Sequence, residues 1–150
     1  VVDARAARWM RASRTAAGRL HVEETARLDE HWDGSESQRP QVATHHPVER
    51  THTDTGHAEE ERRHRFAKKV THWMGEQIAT QHAKRVHLFS PAHLLGEMRK
   101  LMPPALAAMI ADEAHDLGTL HTSEIAKHPA VCAIPAADER YFLDEHLKRD

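Results

Sequence analysis

The stretch LFSPAHLLGEMRKLMPPALAAMI, from Leu88 to Ile110, decides the fold. With Val86 ahead of them, Leu88 and Phe89 read as a short buried strand. Ser90 has the chemistry of a helix N-cap, and Pro91 suits the first helical position. Leu94, Leu95, Met98, Leu101 and Met102 then recur at helical spacing and face inward together. Pro103-Pro104 breaks that helix, and Ala105 to Ile110 is predicted to start a further short one. A strand that leads straight into helices is the first half of a crossover in an α/β sheet.

Upstream, Ala58 to Ala83 is the strongest helical pattern. Phe66, Val70, Trp73, Met74 and Ile78 share one face, and Glu59 to Glu61 suit the positive end of the helix. Further back, Val1 to Ser13 reads as a strand and Gly18 as a turn. LHVEETARL follows with period-2 alternation. Leu20, Val22, Ala26 and Leu28 are expected on one face of it, interrupted only by Glu24, so the two segments make a hairpin. Downstream, an extended segment is expected around Ala114 to Leu117, then a short helix capped by Thr122 or Ser123 and ended by His128-Pro129. The fold class is therefore α/β: one domain over residues 1–150, with a mixed sheet flanked by helices.

Two segments stand apart. Asp29 to His57 is polar, with two prolines, two glycines and apolar residues that show no period. A segment of that composition cannot offset its ordering entropy, so it reads as an unstructured loop or one that orders on a partner. The tail, 129–150, ends in a helical-looking DERYFLDEHLKRD with Tyr141, Phe142 and Leu147 as its apolar residues.

Composition excludes several classes of function. Of the 150 residues, 21 are Lys or Arg and 23 are Asp or Glu, a net charge of -2. That balance argues against a strongly electrostatic nucleic-acid binder, while leaving room for a local basic patch. A single cysteine, Cys132, rules out an intramolecular disulfide and favours a reducing compartment. No apolar run approaches the roughly 20 residues of a membrane span, and no signal peptide is visible. Cytoplasmic location is the expectation. The chain opens VVDARAARWM without a methionine, which suggests that residues precede it. The 15 histidines are spread from His21 to His146, and several would gain charge between about pH 7 and 5.5.

The candidate sites are modest. His45, His46, His52 and His57, with Asp54 among them, have metal-ligating chemistry but lack the paired spacing of a zinc site. No metal or cofactor is expected. Ser90 is better used as a cap than as a nucleophile, and Cys132 in AVCAIP is expected to be a buried, inert thiol. The six glycines form no phosphate-binding loop. Gly96 interrupts a helix and is expected to let another backbone approach. Arg62, Arg63, Arg65, Lys68 and Lys69, extended by Lys84 and Arg85, form the one basic cluster. They read either as a solvated helix face or as contacts for RNA phosphate or an acidic partner.

Together these segments resemble a known family. RFAKKVTHWM, VHLFSPAHLLGEMRKLM and EAHDLGTLHTSEI, in that order, are similar to the bacterial host attachment proteins, and VVDARAARWM resembles the family's first strand. The matching positions are Phe66-Ala67, Ser90-Pro91, Leu95-Gly96, Met98-Arg99 and Asp116-Leu117, across about Val1 to Ile125. The resemblance implies a bacterial protein linked to adhesion to host cells; with no catalytic constellation in the sequence, the expectation leans to a non-enzymatic protein that acts by binding an unknown protein partner. It also implies a fold like the middle domain of archaeal and eukaryotic release factors, an RNase H-like sheet. That fold raises a second possibility, contact with ribosome or tRNA. The release-factor Gly-Gly-Gln loop is absent, and Gly34-Ser35-Glu36-Ser37-Gln38 is the nearest thing to it.

Overall fold

A computed structural model describes residues 1–31 and 53–135, with side chains from residue 56 in the second segment. Two small sheets and five helices make up the described part. β1 (Ala6–Arg14) and β2 (Leu20–Asp29) form an antiparallel hairpin. α1 (Thr53–Gln81) follows, then β3 (Val86–Ser90), α2 (Ala92–Leu101), α3 (Pro104–Ala107) and β4 (Ile110–Ala114). β3 and β4 pair in parallel, Val86 opposite Ile110 and Ser90 opposite Ala114. α4 (Thr122–Ile125) and α5 (Pro129–Cys132) close the described chain.

The two sheets are joined by the segment before β1. The Val2 N–H donates to the Phe89 carbonyl at 2.8 Å, and Val2 also bridges to Ala7. The expected strand from Val1 is thus interrupted. Asp3 to Ala6 is a tight turn, in which Asp3 Oδ1 accepts from the N–H of Arg5 at 2.7 Å and of Ala6 at 2.8 Å. An aspartate whose side chain mimics a backbone turn explains why β1 starts at Ala6. At the hairpin tip, Gly18 takes φ 75° and its N–H donates to the Thr15 carbonyl. Only glycine adopts that conformation without steric cost.

A register shift at Trp9/Met10 changes the reading of β2. Trp9 faces Ala26, but Met10 faces Glu24, so Thr25 is the extra residue of a bulge. A bulge breaks the period-2 alternation. Leu28 therefore packs with Trp9 against the first hydrophobic cluster, whereas Leu20 and Val22 pack in the second. The single apolar face expected for Leu20, Val22, Ala26 and Leu28 is in fact two faces. The first cluster lies under α1 and α2 and holds Phe66, Ala67, Val70, Met74, Leu94, Leu95 and Met98. Trp9 and Trp73 meet edge to face across it, with ring centroids 6.4 Å apart. The second joins Val22, Phe89, Leu117, Ile125 and Val131.

Several local expectations are corrected. α1 begins at Thr53, so the end of the expected loop is helical. It stops where His82 takes φ 52° and the Ala83 N–H reaches back to the Ile78 carbonyl, a Schellman ending. Ser90 is no cap: it is the last residue of β3, fully buried, and its Oγ has no hydrogen-bond partner among the described residues. Pro91 takes the cap position of α2 instead. The helix expected to run to Ile110 ends at Ala107, because Ile110 is drawn into the parallel ladder with Val86. The extended segment consequently sits four residues earlier than expected, at Ile110 rather than Ala114. α4 is capped by His121, whose Nδ1 accepts from the Ser123 N–H, and not by Thr122 or Ser123. Cys132 is exposed rather than buried, its Sγ 3.2 Å from the Ala126 carbonyl. Among the described residues, nothing beyond its own helix and chain neighbours lies within 4 Å of where a Cβ on Gly96 would be, so no other described backbone approaches there.

Candidate functional site

The N-terminal half of α1 crosses the base of the hairpin and the first turn of α2, and a cleft of about 160 Å³ opens where they meet. Ala4 and Glu30 line it from the hairpin base, Glu59, Arg62, Arg63 and Phe66 from α1, and His93 and Leu94 from α2. Glu59, Arg63 and Phe66 follow one another at helical spacing, which is why one face of α1 supplies all three. Phe66 and Leu94, both buried in the core, make the cleft apolar at its base. Glu30 is fixed by its own N–H, which donates to the Arg5 carbonyl at 2.7 Å. Its Oε2 is buried and has no hydrogen-bond partner among the described residues.

The basic cluster read from the sequence is divided by this geometry. Arg62 and Arg63 are half-buried at the cleft. Arg65, Lys68 and Lys69 are exposed on the outer arc of α1, where Arg65 lies 3.7 Å from Glu61. Lys84 and Arg85 sit beyond the end of α1, about 18 Å or more along the helix from Lys69. There, burial first and the Arg85 charge second push His87 below the ordinary imidazole range. Lys84 and Arg85 thus lie well away from the cations of residues 62–69.

The motif positions are mostly structural. Phe66, Ala67, Leu95 and Leu117 are buried, and Pro91 caps α2. Asp116 is exposed. Arg99 straps α2 to β4: its Nε and Nη2 donate to the two carboxylate oxygens of Asp112 at 2.8 and 2.6 Å. The Arg99 hydrogen bonds hold the Asp112 carboxyl below the usual carboxylate range. A depressed folded pKa adds stability above the unfolded value, near 3.9, and that stability is lost as pH falls through the folded value. Asp112→Asn should therefore cost about 0.5–1 kcal/mol at pH 7, since Arg99 is largely exposed. The difference from wild type, followed by chemical denaturation, should shrink as pH falls below the unfolded value and vanish once the folded carboxyl is protonated.

A second constellation was not read from the sequence. Arg8, on β1, is 9% exposed. Its Nε donates to Glu24 Oε2 at 2.7 Å, and its Nη1 donates to the Gly118 and Leu120 carbonyls at 3.0 and 2.7 Å. Asp3 packs so closely on Gly118 that a Cβ there would overlap its carboxylate. Two signals for this were present. Asp3 and Arg8 stand inside the resemblance of the first strand, and Glu24 is a charge on an apolar stripe, which needs a partner.

Of the metal-ligating candidates, His45, His46 and His52 lie outside the described residues, and so does the side chain of Asp54. His57 borders an open depression with Glu60, Glu61, His64 and Glu97. Lys100 first, and His64 second, hold the Glu97 carboxyl below its usual range. Among the described residues no group of three or more His, Cys, Asp or Glu is placed to hold a metal ion. Gly34 to Gln38 and the aromatic tail residues Tyr141 and Phe142 are also outside the described residues. No described helix is long and apolar enough to cross a membrane.

Residues 1–128 match the family described as "Protein required for attachment to host cells". The chain belongs to this family. The match covers the hairpin, the parallel pair and the Gly118 segment, and ends at His128, the residue that caps α5. No curated protein matches the chain. Membership in the host attachment family thus covers both the cleft and the Arg8 constellation.

Proposed function

We propose that this host attachment family member works by binding, without enzymatic activity, and that its binding supports adhesion to host cells. The family match over residues 1–128 is the observation that carries this reading. Two surfaces support it: the cleft at Arg62 and Arg63, and the exposed outer arc of Arg65, Lys68 and Lys69. An unidentified protein is the partner in this reading, and the cytoplasm the compartment, in keeping with an exposed unpaired thiol at Cys132. Deleting the gene should reduce the number of bacteria adhering to host cells, and complementation should restore it. Unchanged adhesion would remove the reading.

A second reading is contact with ribosome or tRNA through Arg65, Lys68 and Lys69, with the release-factor-like architecture that the sequence resemblance implies. The exposure of these three cations favours it. Three phosphate contacts would give weak, salt-sensitive association. Cosedimentation with ribosomes at low salt, lost in a variant with all three changed to Gln, is the expected result. No cosedimentation at low salt would exclude it.

A further inference from the structure

Both short helices after β4 are capped by an imidazole nitrogen. At α4, His121 Nδ1 accepts from the Ser123 N–H at 3.3 Å, and at α5, His128 Nδ1 accepts from the Ala130 N–H at 3.2 Å. The usual cap residues, Ser, Thr, Asp and Asn, accept at any pH near neutrality. An imidazole nitrogen accepts only while it carries no proton. Once protonated, it turns an N–H toward a helix end that already presents unsatisfied N–H groups of its own.

The two caps differ in what a proton would meet. At His121, the Glu124 carboxylate accepts from the backbone N–H of His121 at 2.9 Å, and Ser123 Oγ lies 2.9 Å from Nδ1. The hydroxyl can turn to accept from a protonated ring, and the carboxylate offsets its charge. His128, half-buried, has neither. Its ring meets that of His115 edge to face, with centroids 5.3 Å apart, and His115 in turn tilts against Phe89 at 6.2 Å. The Glu113 carboxylate lies 3.5 Å from His115 Nε2 and serves that ring. Asp116 is exposed, and among the described residues it pairs with neither histidine. The other charges around α5 are cations. Lys127 precedes His128 in the chain, and Arg14 reaches across from β1 to the Cys132 and Ile134 carbonyls at 3.4 and 3.2 Å. Leu20 and Val22 of β2, with Ile125 and Val131, add only apolar surface.

We propose that His128 is an acid-released latch, whose neutral ring caps α5 and holds Val131 in the second cluster, and whose protonation frees the segment from Ala130 to Ile134. His115 strengthens the response, because a proton on both rings sets like charges edge to face. Opening and protonation are linked, so α5 opens more as pH falls through the imidazole range, from about 7 to 5.5. Ile125 and Val131 are buried in the closed form, so opening presents an apolar surface that neutral pH hides. The latch does not depend on the adhesion role.

Amide exchange of the full chain at about pH 7.5 and about pH 5.5, corrected for the intrinsic pH dependence of exchange, tests the latch. Protection of the Ala130 to Ile134 amides should fall about fivefold or more on acidification, the effect of losing one cap. The amides of Val70 to Met74 in α1 should keep theirs. His128→Asn supplies a cap oxygen that does not titrate, and should abolish the fall; His121→Asn should not. Nitrogen NMR of the wild-type ring at neutral pH should show His128 Nδ1 without a proton. A proton on that nitrogen would overturn the proposal whatever the variants do. So would equal protection at the two pH values, an undiminished fall in His128→Asn, or a fall abolished by His121→Asn.

Discussion

Arg8→Ala should lower stability by about 2–3 kcal/mol, read as a shift in the urea midpoint at unchanged slope. The guanidinium is nearly buried and makes three hydrogen bonds, to Glu24 and to two backbone carbonyls. Removing it leaves the Gly118 carbonyl without the only side-chain donor described for it, and leaves Glu24 facing Arg27 at 3.7 Å as its remaining cation. The loss should be local before it is global. Amide exchange should rise first from Asp116 to His121, because Arg8 is the tie between that segment and β1. Arg8→Lys should recover little. A single ammonium on a flexible stem cannot reach Glu24 and both carbonyls with the fixed geometry of a guanidinium. Unaltered exchange in 116–121 would show that the segment is held by Leu117 in the second cluster rather than by Arg8.

Much of the fold was legible because its signals are local. The helical period of Phe66, Val70 and Met74 survives intact, and those residues are buried as expected. The same holds for Leu94, Leu95 and Met98. The strand at Val86 and the hairpin were legible on the same grounds. The sequence failed where a distant partner overrides local preference. AAMIADEA has the alanines of a helix, yet Ile110 to Ala114 is extended because β3 offers it a parallel ladder. Ser90 has the chemistry of a cap but is kept in the strand by its place opposite Ala114. Gly96 was read as a close approach because a glycine in a helix needs some reason, and the structure shows none.

The cleft was half legible. Arg62 and Arg63 were marked as cations of the basic cluster, and both line the cleft. Arg63 shares the face of Phe66, whereas Lys68 does not. Glu30 and His93 carried no sequence signal at all. Their part in the cleft comes from tertiary placement, from the hairpin end and from the first turn of α2. The bulge at Thr25 was equally silent. A strand that changes its inward face midway leaves the same alternation in the sequence as one that does not.

The second large effect is expected at Gly118. Gly118→Ala should destabilise by about 1–3 kcal/mol, through overlap and not through backbone strain. Its φ is not in the left-handed region, unlike that of Gly18. The added methyl would enter the space of the Asp3 carboxylate and its Cβ. Asp3 cannot easily withdraw, because its Oδ1 holds the turn by accepting from the Arg5 and Ala6 N–H groups. Two positions at opposite ends of the described chain should therefore be energetically coupled. In an Asp3→Gly background, which already lacks the turn bonds and the obstructing carboxylate, Gly118→Ala should cost far less. Its ΔΔG there should fall short of the single-variant value by at least about 1 kcal/mol. Gly96→Ala is the internal control. With nothing near its Cβ, it should stabilise α2 by roughly 0.5–1 kcal/mol, the ordinary helical preference for alanine. Additive energies for Asp3 and Gly118, or a Gly118→Ala variant as stable as Gly96→Ala, would mean that the turn at Asp3 and the segment at Gly118 do not pack as described.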